Sequence, residues 1–402
     1  AITQHIGFPH YGDEYKVMGL APYGEPKYIA QMRQLVRVQS NGTFRLGLDY
    51  FRHHRENVHY TWDNCAPEIG AVFSPELEQL LGPARQKGEP LEQRHKDLAR
   101  SAQAMYEEAF FALLQALHAK YQCPNLALAG GCAMNSVANG KVYLQSPFRR
   151  MYLPAAAGDA GGAIGSAFVV ANQLGEVKTR PHMSHGYWGP GATDAEIKAL
   201  LESRAADIAA EKCTVEKHSD EAELCRRTAQ AITEGKVIGW FQGRMEWGPR
   251  ALGNRSILGD PRRADMKDIL NLKIKRRESF RPFAPSVLRE HVVEWFEQED
   301  DVPFMMEVFQ VRPEKRAQIP ATTHVDGSGR LQTVHRETNP RYHRLIECYR
   351  ALTGVPMVLN TSFNENEPVV CRPEEALDCF LRTKMDVLVI NDWVVVRKGS
   401  EA

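Results

Sequence analysis

The segment KVIGWFQGRMEWGPRALGNRSI, residues 236–257, joins an apolar run to a glycine-rich loop that carries three arginines. The run KVIGWFQ (236–242) has the length and composition of a buried strand. Between Arg244 and Arg281 the chain holds eleven basic residues against five acidic ones. The arginines stand among Gly, Pro and Trp rather than at helical spacing. This local excess of positive charge predicts an anion site, and the alternative is a solvated basic face with surface ion pairs.

Strands, glycine turns and helices alternate along the rest of the chain. The three/four spacing of apolar residues over Lys96–Tyr121 predicts a helix, and Leu126–Ala129 reads as a strand that ends in a glycine turn. Gly158–Leu174 reads as a tightly packed helix of small residues. The second half predicts helices at 194–204, 220–234 and 373–383 and strands at 236–242, 355–360 and 386–390. This order indicates the α/β class, with residues 176–193, rich in Gly, Pro and His, as a linker between two domains.

Composition narrows the class of protein. The 402 residues predict roughly two to three domains. Lys plus Arg and Asp plus Glu number 50 each, so no global field favours nucleic acid or a membrane surface as partner. No run approaches the ~18 apolar residues of a membrane span. The eight cysteines contain no C-x-x-C pair and are interpreted as reduced thiols of a cytoplasmic protein.

Two further segments of the second half carry polar groups. LNTSFN (359–364) ends a predicted strand, which is where α/β domains usually hold ligands, although an Asx- or Ser-rich turn is an equal interpretation. HVDGSGRLQTVH (324–335) is a glycine-rich turn with Arg330, interpreted as a mobile hairpin. In FRPFAPSV (280–287), Arg281 lies among aromatics and prolines, and an arginine in such a setting needs an anionic partner.

Two segments of the first half could approach a nucleotide or a metal. In ALAGGCAMNS (127–136) two glycines follow a strand, which lets backbone approach a flat ligand such as adenosine, but glycine turns are common. In GDAGGA (158–163), Asp159 precedes a helix and is either an N-cap or a metal ligand.

Taken together, these motifs resemble the O-carbamoyltransferases of nodulation-factor and antibiotic biosynthesis. The matching stretches are EYKVMGLAPYG (14–24), ALAGGCAMN (127–135), GDAGGA (158–163), GRMEWGPRALGNRSIL (243–258), KRRESFRPFAPSV (275–287) and LNTSFN (359–364). They follow one another in the family's order over nearly the whole chain.

The resemblance implies two modules. Residues 1–175 resemble the C-terminal lobe of a Kae1-like domain of the actin/sugar-kinase ATPase superfamily, and residues 194–402 resemble a YrdC-like α/β domain. The second module would form carbamoyl-adenylate from carbamoyl phosphate and ATP, with Mg as the nucleotide's ion. The first module would pass the carbamoyl group to a hydroxyl of a small sugar-like or antibiotic-like acceptor with help from a divalent metal, iron or similar. A homodimer is a further expectation.

The resemblance also assigns site residues. Those expected at carbamoyl phosphate and the adenylate phosphate are Arg250, Lys275, Arg281, Arg330 and Ser362. Arg277 completes a K-x-R pair similar to that of YrdC proteins. Weaker assignments to the same pocket are Arg244, Arg255, Asn360 and Asn364. Gly130, Gly131 and Asn135 match the adenosine-binding turn, and Asp159 matches a metal ligand.

One departure from the family's pattern is expected to matter. The paired-histidine metal motif and the N-terminal phosphate loop that precede EYKVMGLAPYG in the family have no match in this chain. Asp159 is therefore expected to be an orphan ligand, and the chain is expected to form the adenylate but to transfer it poorly.

Two alternatives remain open. A threonylcarbamoyl-adenylate synthase-type tRNA modification protein would share both modules but depend on threonine and bicarbonate. An RNA-binding YrdC-like module would bind unrelated RNAs in a salt-dependent way, although the basic segment lacks interleaved stacking aromatics.

Overall fold

A computed structural model describes residues 1–61, 67–179, 182–275, 278, 280–281, 283–365 and 367–399. The chain divides into two compact units, residues 1–126 with 137–152 and residues 127–136 with 153–402. This division does not follow the expected boundary at residues 175 and 194, and the domain assignment stays a prediction. No helix in these described ranges is both long and apolar enough to span a bilayer.

The first unit is built on one long helix. The prediction for Lys96–Tyr121 is confirmed, and the helix begins three residues earlier because Glu92 and His95 form a capping box. It ends where Gln122 adopts the left-handed conformation, with φ of 51°. Leu98 and Leu114 are among the core residues that it buries.

The long helix is α5 of this part of the chain, and shorter elements lie before and after it. Its helices are α1 (Ile2–His5), α2 (Glu14–Leu20), α3 (Ile29–Leu35), α4 (Pro75–Leu81), α5 (Gln93–Tyr121), α6 (Ser136–Asn139) and α7 (Val142–Gln145). Its strands form three two-stranded sheets, β1 (Val36–Val38) with β2 (Phe44–Leu46), β3 (Tyr60–Thr61) with β4 (Glu68–Ile69) and β5 (Asn125–Ala127) with β6 (Arg150–Tyr152).

The second unit contains a nine-stranded mixed sheet. Its strands are β7 (Cys213–Lys217), β8 (Ile238–Phe241), β9 (Arg255–Gly259), β10 (Ala284–Leu288), β11 (Glu307–Gln310), β12 (Ser328–Val334), β13 (Met357–Ser362), β14 (Val387–Ile390) and β15 (Trp393–Arg397). They lie in the order β11-β12-β10-β13-β9-β8-β14-β15-β7. The pairs β10/β12 and β8/β14 are parallel. The predicted α/β class is confirmed at this level.

The second unit also contains helices, and its buried apolar residues form separate clusters on the two faces of the sheet. The helices are α8 (Gly161–Gln173), α9 (Asp194–Ser203), α10 (Ala205–Ala210), α11 (Glu221–Thr233), α12 (Met266–Leu270), α13 (Val292–Trp295), α14 (Pro340–Thr353) and α15 (Pro373–Arg382). Ile238 and Trp240 belong to one buried cluster, whereas Val237 and Phe241 belong to another. Successive side chains of β8 therefore point to opposite faces, each covered by apolar residues.

Three sequence-based expectations are wrong. Residues 255–259 form the central strand β9 rather than a continuation of the basic loop. Residues 328–334 form β12, which is paired on both sides, rather than a mobile hairpin. The helix expected at 158–174 forms as α8, but none of its residues is buried. Small side chains permit close packing of a helix, but the helix is buried only where another element packs against it.

Candidate active site

Polar side chains of three adjacent strands meet on one face of the sheet. The amide of Asn360 on β13 donates a hydrogen bond of 2.9 Å to Ser286 Oγ on β10. Ser286 Oγ donates in turn to Gln332 Oε1 on β12 at 2.7 Å. Because residues two apart share a face, Ser362 and Arg330 lie on this same face beside Asn360 and Gln332. The structure thus brings three predicted residues, Arg330, Asn360 and Ser362, to one surface.

Lys275 reaches the end of β13. Its Nζ lies 2.6 Å from the carbonyl oxygen of Ser362, 2.8 Å from that of Asn364 and 2.6 Å from Asn364 Oδ1. The residue is only 3% exposed. These oxygens are neutral acceptors, and the three bonds hold the ammonium in place at the end of β13. Three predicted residues, Lys275, Ser362 and Asn364, are thereby in contact.

Arg250 and Arg281 are two like charges close to each other. Burial, assisted by the nearby positive charge of Arg281, lowers the pKa of Arg250 to about 10. Arg250 Nε is shielded from solvent and has no hydrogen-bond partner among the residues that the structure describes. Arg281 lies 3.7 Å from the carboxylate of Glu278, which balances part of its charge. An anion bound at Arg250 would relieve both the repulsion and the unmade hydrogen bond.

A hydrogen bond ties the loop of Arg250 to the polar sheet face. The carbonyl of the next residue, Ala251, accepts a bond of 3.1 Å from the amide of Asn360. That same amide donates to Ser286 Oγ, so the arginine loop and the strands share one network. The predicted residues Arg250 and Asn360 are therefore linked through backbone.

Glu246 holds the loop that carries Arg250. Its Oε1 accepts hydrogen bonds from the backbone N–H groups of Leu252, Asn254 and Arg255 at 2.8, 2.7 and 3.1 Å. The residue is 6% exposed, so these charge-assisted bonds form in a dry environment. Sequence reasoning counted Glu246 only as one acid among many bases. The sequence feature that could have indicated this structural role is an acidic residue flanked by Met and Trp at the start of a Gly- and Pro-rich loop.

Arg244 and Arg255 bind backbone rather than the anion cluster. Arg255 donates to the carbonyls of Gln242 at 2.8 Å and Pro190 at 3.1 Å, and its guanidinium lies 3.6 Å from the centroid of the Phe241 ring. Arg244 donates to the carbonyls of Trp188 and Gly189 at 2.6 and 2.8 Å. Their assignment to the anion pocket stays a prediction that this geometry does not favour.

The hydrogen bonds of Arg244 and Arg255 also fix part of the stretch that is expected to be a linker. Arg244 and Arg255 hold residues 188–190 against the basic segment, and the backbones of Gly189 and Met245 bond at 2.9 Å. This part of the stretch at 176–193 is therefore tied to the second unit. Arg277, the remaining predicted pocket residue, lies outside the described residues.

The predicted adenosine turn and metal ligand lie close together. The N–H of Gly130, where φ is +92°, donates 2.7 Å to the carbonyl of Ala157, two residues before Asp159. A Cβ added at Gly130 or at Gly131 would meet nothing within 4 Å, so the turn faces open space. Asn135 ends the helical turn that follows. This placement is compatible with a ligand lying against the backbone of the turn.

The described residues around Asp159 form no complete metal site. The ranges that the structure describes contain no group of three or more His, Cys, Asp or Glu residues arranged to hold a metal ion. Asp159 is exposed and is a single carboxylate. The residues present therefore do not fit the divalent metal that the resemblance implies, and no chemical step is assigned to that metal.

The fold and the site together define a class of protein. An α/β protein whose sheet face and loops converge cationic groups on one shielded place is suited to a phosphate-bearing ligand. The Carbamoyltransferase N-terminus model matches residues 1–168, and the Carbamoyltransferase C-terminus model matches residues 229–397. The chain belongs to the carbamoyltransferase family, a family of enzymes.

Relatives agree with this assignment. The chain is 40% identical to the nodulation protein NolNO of Sinorhizobium fredii, covering 99% of this chain and 55% of that protein. It is 40% identical to the nodulation protein NolO of Bradyrhizobium diazoefficiens, covering 96% and 66%. The 3'-hydroxymethylcephem-O-carbamoyltransferase of Amycolatopsis lactamdurans is 32% identical over 68% of this chain and 49% of its own length. The chain thus spans about half to two thirds of these relatives' lengths.

Proposed function

We propose that residues 194–402 bind carbamoyl phosphate and ATP and form carbamoyl-adenylate. For the atoms to balance, water cleaves carbamoyl phosphate to carbamate and phosphate. A carbamate oxygen then attacks the α-phosphorus of ATP, and pyrophosphate leaves. The overall reaction consumes one water and releases phosphate and pyrophosphate. This assignment corresponds to the YrdC-like module of the sequence-based expectation.

The observation that carries this proposal is the shielded Nε of Arg250, which makes no hydrogen bond among the described residues and feels the positive charge of Arg281. Two guanidinium groups that repel each other, one of them with a shielded Nε and an unmade hydrogen bond, are stable beside a dianion and costly without one. Lys275 and Arg330 add positive charge near the same sheet face. Both steps spread negative charge over phosphate oxygens, and fixed cations stabilise such charge without reorganising.

We further propose that the adenylate passes to the Kae1-like part of the protein and carbamoylates a hydroxyl of a small molecule. The glycine turn at Gly130 and Gly131, with Asn135 beyond it, would lie against the adenosine. Asp159 stays a predicted metal ligand, and no step of the proposed transfer passes through a metal. The names of the nodulation and cephem relatives support a sugar-like or antibiotic-like acceptor.

The test is pyrophosphate release from ATP, followed with and without carbamoyl phosphate and with no acceptor present. We expect release to require carbamoyl phosphate and to fall by about a hundredfold or more in Lys275→Ala and in Arg281→Ala. Arg263→Ala is the matched control, because Arg263 pairs with Asp265 at an exposed position of the same segment.

Three results would contradict the proposal. They are release that ignores carbamoyl phosphate, release that survives both substitutions, and release driven instead by threonine with bicarbonate. The last would indicate the threonylcarbamoyl-adenylate alternative.

A further inference from the structure

His324 lies beside the polar sheet face, in the turn that leads into β12. Its ring Nδ1 is 3.1 Å from Ser328 Oγ, and Ser328 Oγ donates 2.6 Å to the carboxylate of Asp326. The hydroxyl has one proton, and that proton is used on Asp326. Nδ1 must therefore carry the proton that it shares with Ser328, and the second ring nitrogen, Nε2, keeps a free lone pair.

This lone pair is shielded and unused. His324 Nε2 is shielded from solvent and has no hydrogen-bond partner in the described part of the chain. Burial, assisted by the charges of Arg330 and Lys267 against the opposing effect of Asp326, lowers the pKa of His324 to about 4. The imidazole is thus neutral at physiological pH. The free lone pair therefore belongs to a neutral group that lies near the charges of Arg330 and Lys267.

The sheet places His324 on the side of the predicted pocket. Ser328, which bonds the imidazole, lies two residues before Arg330 on β12, so both side chains project from the same face. Lys267 comes from α12 and donates 3.2 Å to the carbonyl of Thr323, the residue before His324. The imidazole therefore adjoins two of the cations and is not a separate feature of the turn.

Carbamoyl phosphate needs both hydrogen-bond donors and a hydrogen-bond acceptor in its binding site. Its phosphate oxygens accept hydrogen bonds and are served by arginine and lysine. Its amino group donates and needs an acceptor, which arginine and lysine side chains cannot provide. Acetyl phosphate has a methyl group in place of that amino group. A buried acceptor aimed at the amino group would separate the two compounds, because the methyl leaves it unsatisfied.

We propose that His324 Nε2 accepts a hydrogen bond from the carbamoyl amino group and selects carbamoyl phosphate against acyl phosphates that lack it. The inference rests on the proposed function, since it names the group that recognises that function's substrate. Asp326 and Ser328 act as positioning residues, because they hold the imidazole in the tautomer that leaves Nε2 free.

Two stable analogues provide the test. Phosphonoacetamide keeps the amide of carbamoyl phosphate, and acetonylphosphonate replaces its NH2 by CH3. Calorimetry would measure the affinity of both, and of inorganic phosphate, for the unaltered chain, His324→Phe and His324→Gln. Val325→Ala is the matched control, because Val325 is an exposed neighbour in the same turn.

We expect the unaltered chain to prefer phosphonoacetamide by about tenfold. His324→Phe should abolish the preference while acetonylphosphonate and phosphate bind within about threefold of their original affinity. His324→Gln, which keeps an acceptor near the position of Nε2, should restore part of the preference. A preference that survives in His324→Phe overturns the inference, and so does an equal loss of affinity for all three ligands.

A second measurement covers the case in which His324→Phe does not fold. In the unaltered chain labelled with ¹⁵N-histidine, the Nε2 resonance should shift on adding phosphonoacetamide and stay in place with acetonylphosphonate. Identical responses to both overturn the inference. Carbamoyl-phosphate-dependent pyrophosphate release with no analogue preference defeats the inference alone, whereas absence of that release together with no phosphonoacetamide binding defeats the proposed function.

Discussion

Lys275 Nζ lies 2.6 Å from the carbonyl oxygen of Ser362, although 87 positions separate the two residues in the chain. The contact joins the basic segment to the end of β13. It places an ammonium group beside the polar side chains of the sheet, where Ser362 and Asn364 supply neutral oxygen atoms to hold it. Several consequences of this arrangement can be measured.

Asn364 is expected to position Lys275. Its Oδ1 accepts from Lys275 at 2.6 Å and from Ser362 Oγ at 2.8 Å, and Asn364→Ala removes both bonds. We expect the KM for carbamoyl phosphate in the pyrophosphate-release assay to rise by about tenfold, because a freed lysine loses its preset geometry. Asn41→Ala, in an exposed turn of the first unit, is the control. An unchanged KM would show that Lys275 needs no such restraint.

Glu246 is expected to support both stability and anion binding. Glu246→Gln keeps the shape but replaces charge-assisted bonds to three backbone N–H groups with weaker neutral ones. The free energy of unfolding should fall by about 1–3 kcal/mol, and phosphate affinity should fall with it because the loop of Arg250 loosens. Urea denaturation and phosphate titration measure the two effects. Equal stability of variant and parent would contradict this role.

Gly253 is expected to tolerate no side chain. Its φ is +102°, and an added Cβ would lie 2.2 Å from the ring of Tyr342. Gly253→Ala should cost more than about 3 kcal/mol of unfolding free energy, from strain plus overlap. Gly354→Ala separates the two contributions, since φ is +76° there but nothing lies within 4 Å of the Cβ. That variant should lose only about 1 kcal/mol. Similar losses at both glycines would argue against the packing of Tyr342.

The buried imidazole of His324 predicts a pH dependence. Its pKa falls from 6.5 to about 4 on folding, so between these values the unfolded chain binds a proton that the folded chain does not. Its contribution to stability is therefore complete above pH 6.5 and is lost as the pH falls toward 4, by up to about 3 kcal/mol. Denaturation of the parent and His324→Phe at pH 7, 5.5 and 4.5 should show the parent losing more. Parallel losses would mean that His324 titrates normally in the folded state.

Gly131 offers a test of the adenosine turn. A Cβ at this position meets nothing within 4 Å, so Gly131→Val should leave the melting temperature nearly unchanged. If the adenosine of the adenylate lies against this backbone, the added side chain should raise the Kd for AMP at this turn by about tenfold or more through overlap. Thermal unfolding and AMP titration test the two halves. Unaltered AMP affinity would remove Gly131 from the proposed adenosine site.

Local patterns in the sequence predicted many of the elements and the chemical class of the site. The long helix ending at Tyr121, the strand at 236–242 and the helix beginning at Pro373 are visible in apolar periodicity and length, because such segments mostly obey short-range rules. The motifs also indicated the carbamoyltransferase family, since its runs of Arg, Gly and Asn are long and ordered.

Tertiary structure decided the role of each residue within those patterns. Arg250 and Arg255 stand five positions apart in one basic segment, yet Arg255 binds the carbonyls of Gln242 and Pro190. Nε of both residues is shielded without a hydrogen-bond partner within the described ranges, but at Arg250 burial is joined by the nearby charge of Arg281 in lowering the pKa. Glu246 and His324 likewise gain their roles from loops that fold back on them. Backbone groups from distant parts of the chain come together in the fold, and they decide which side-chain donors and acceptors keep no partner. Local sequence patterns do not predict these contacts.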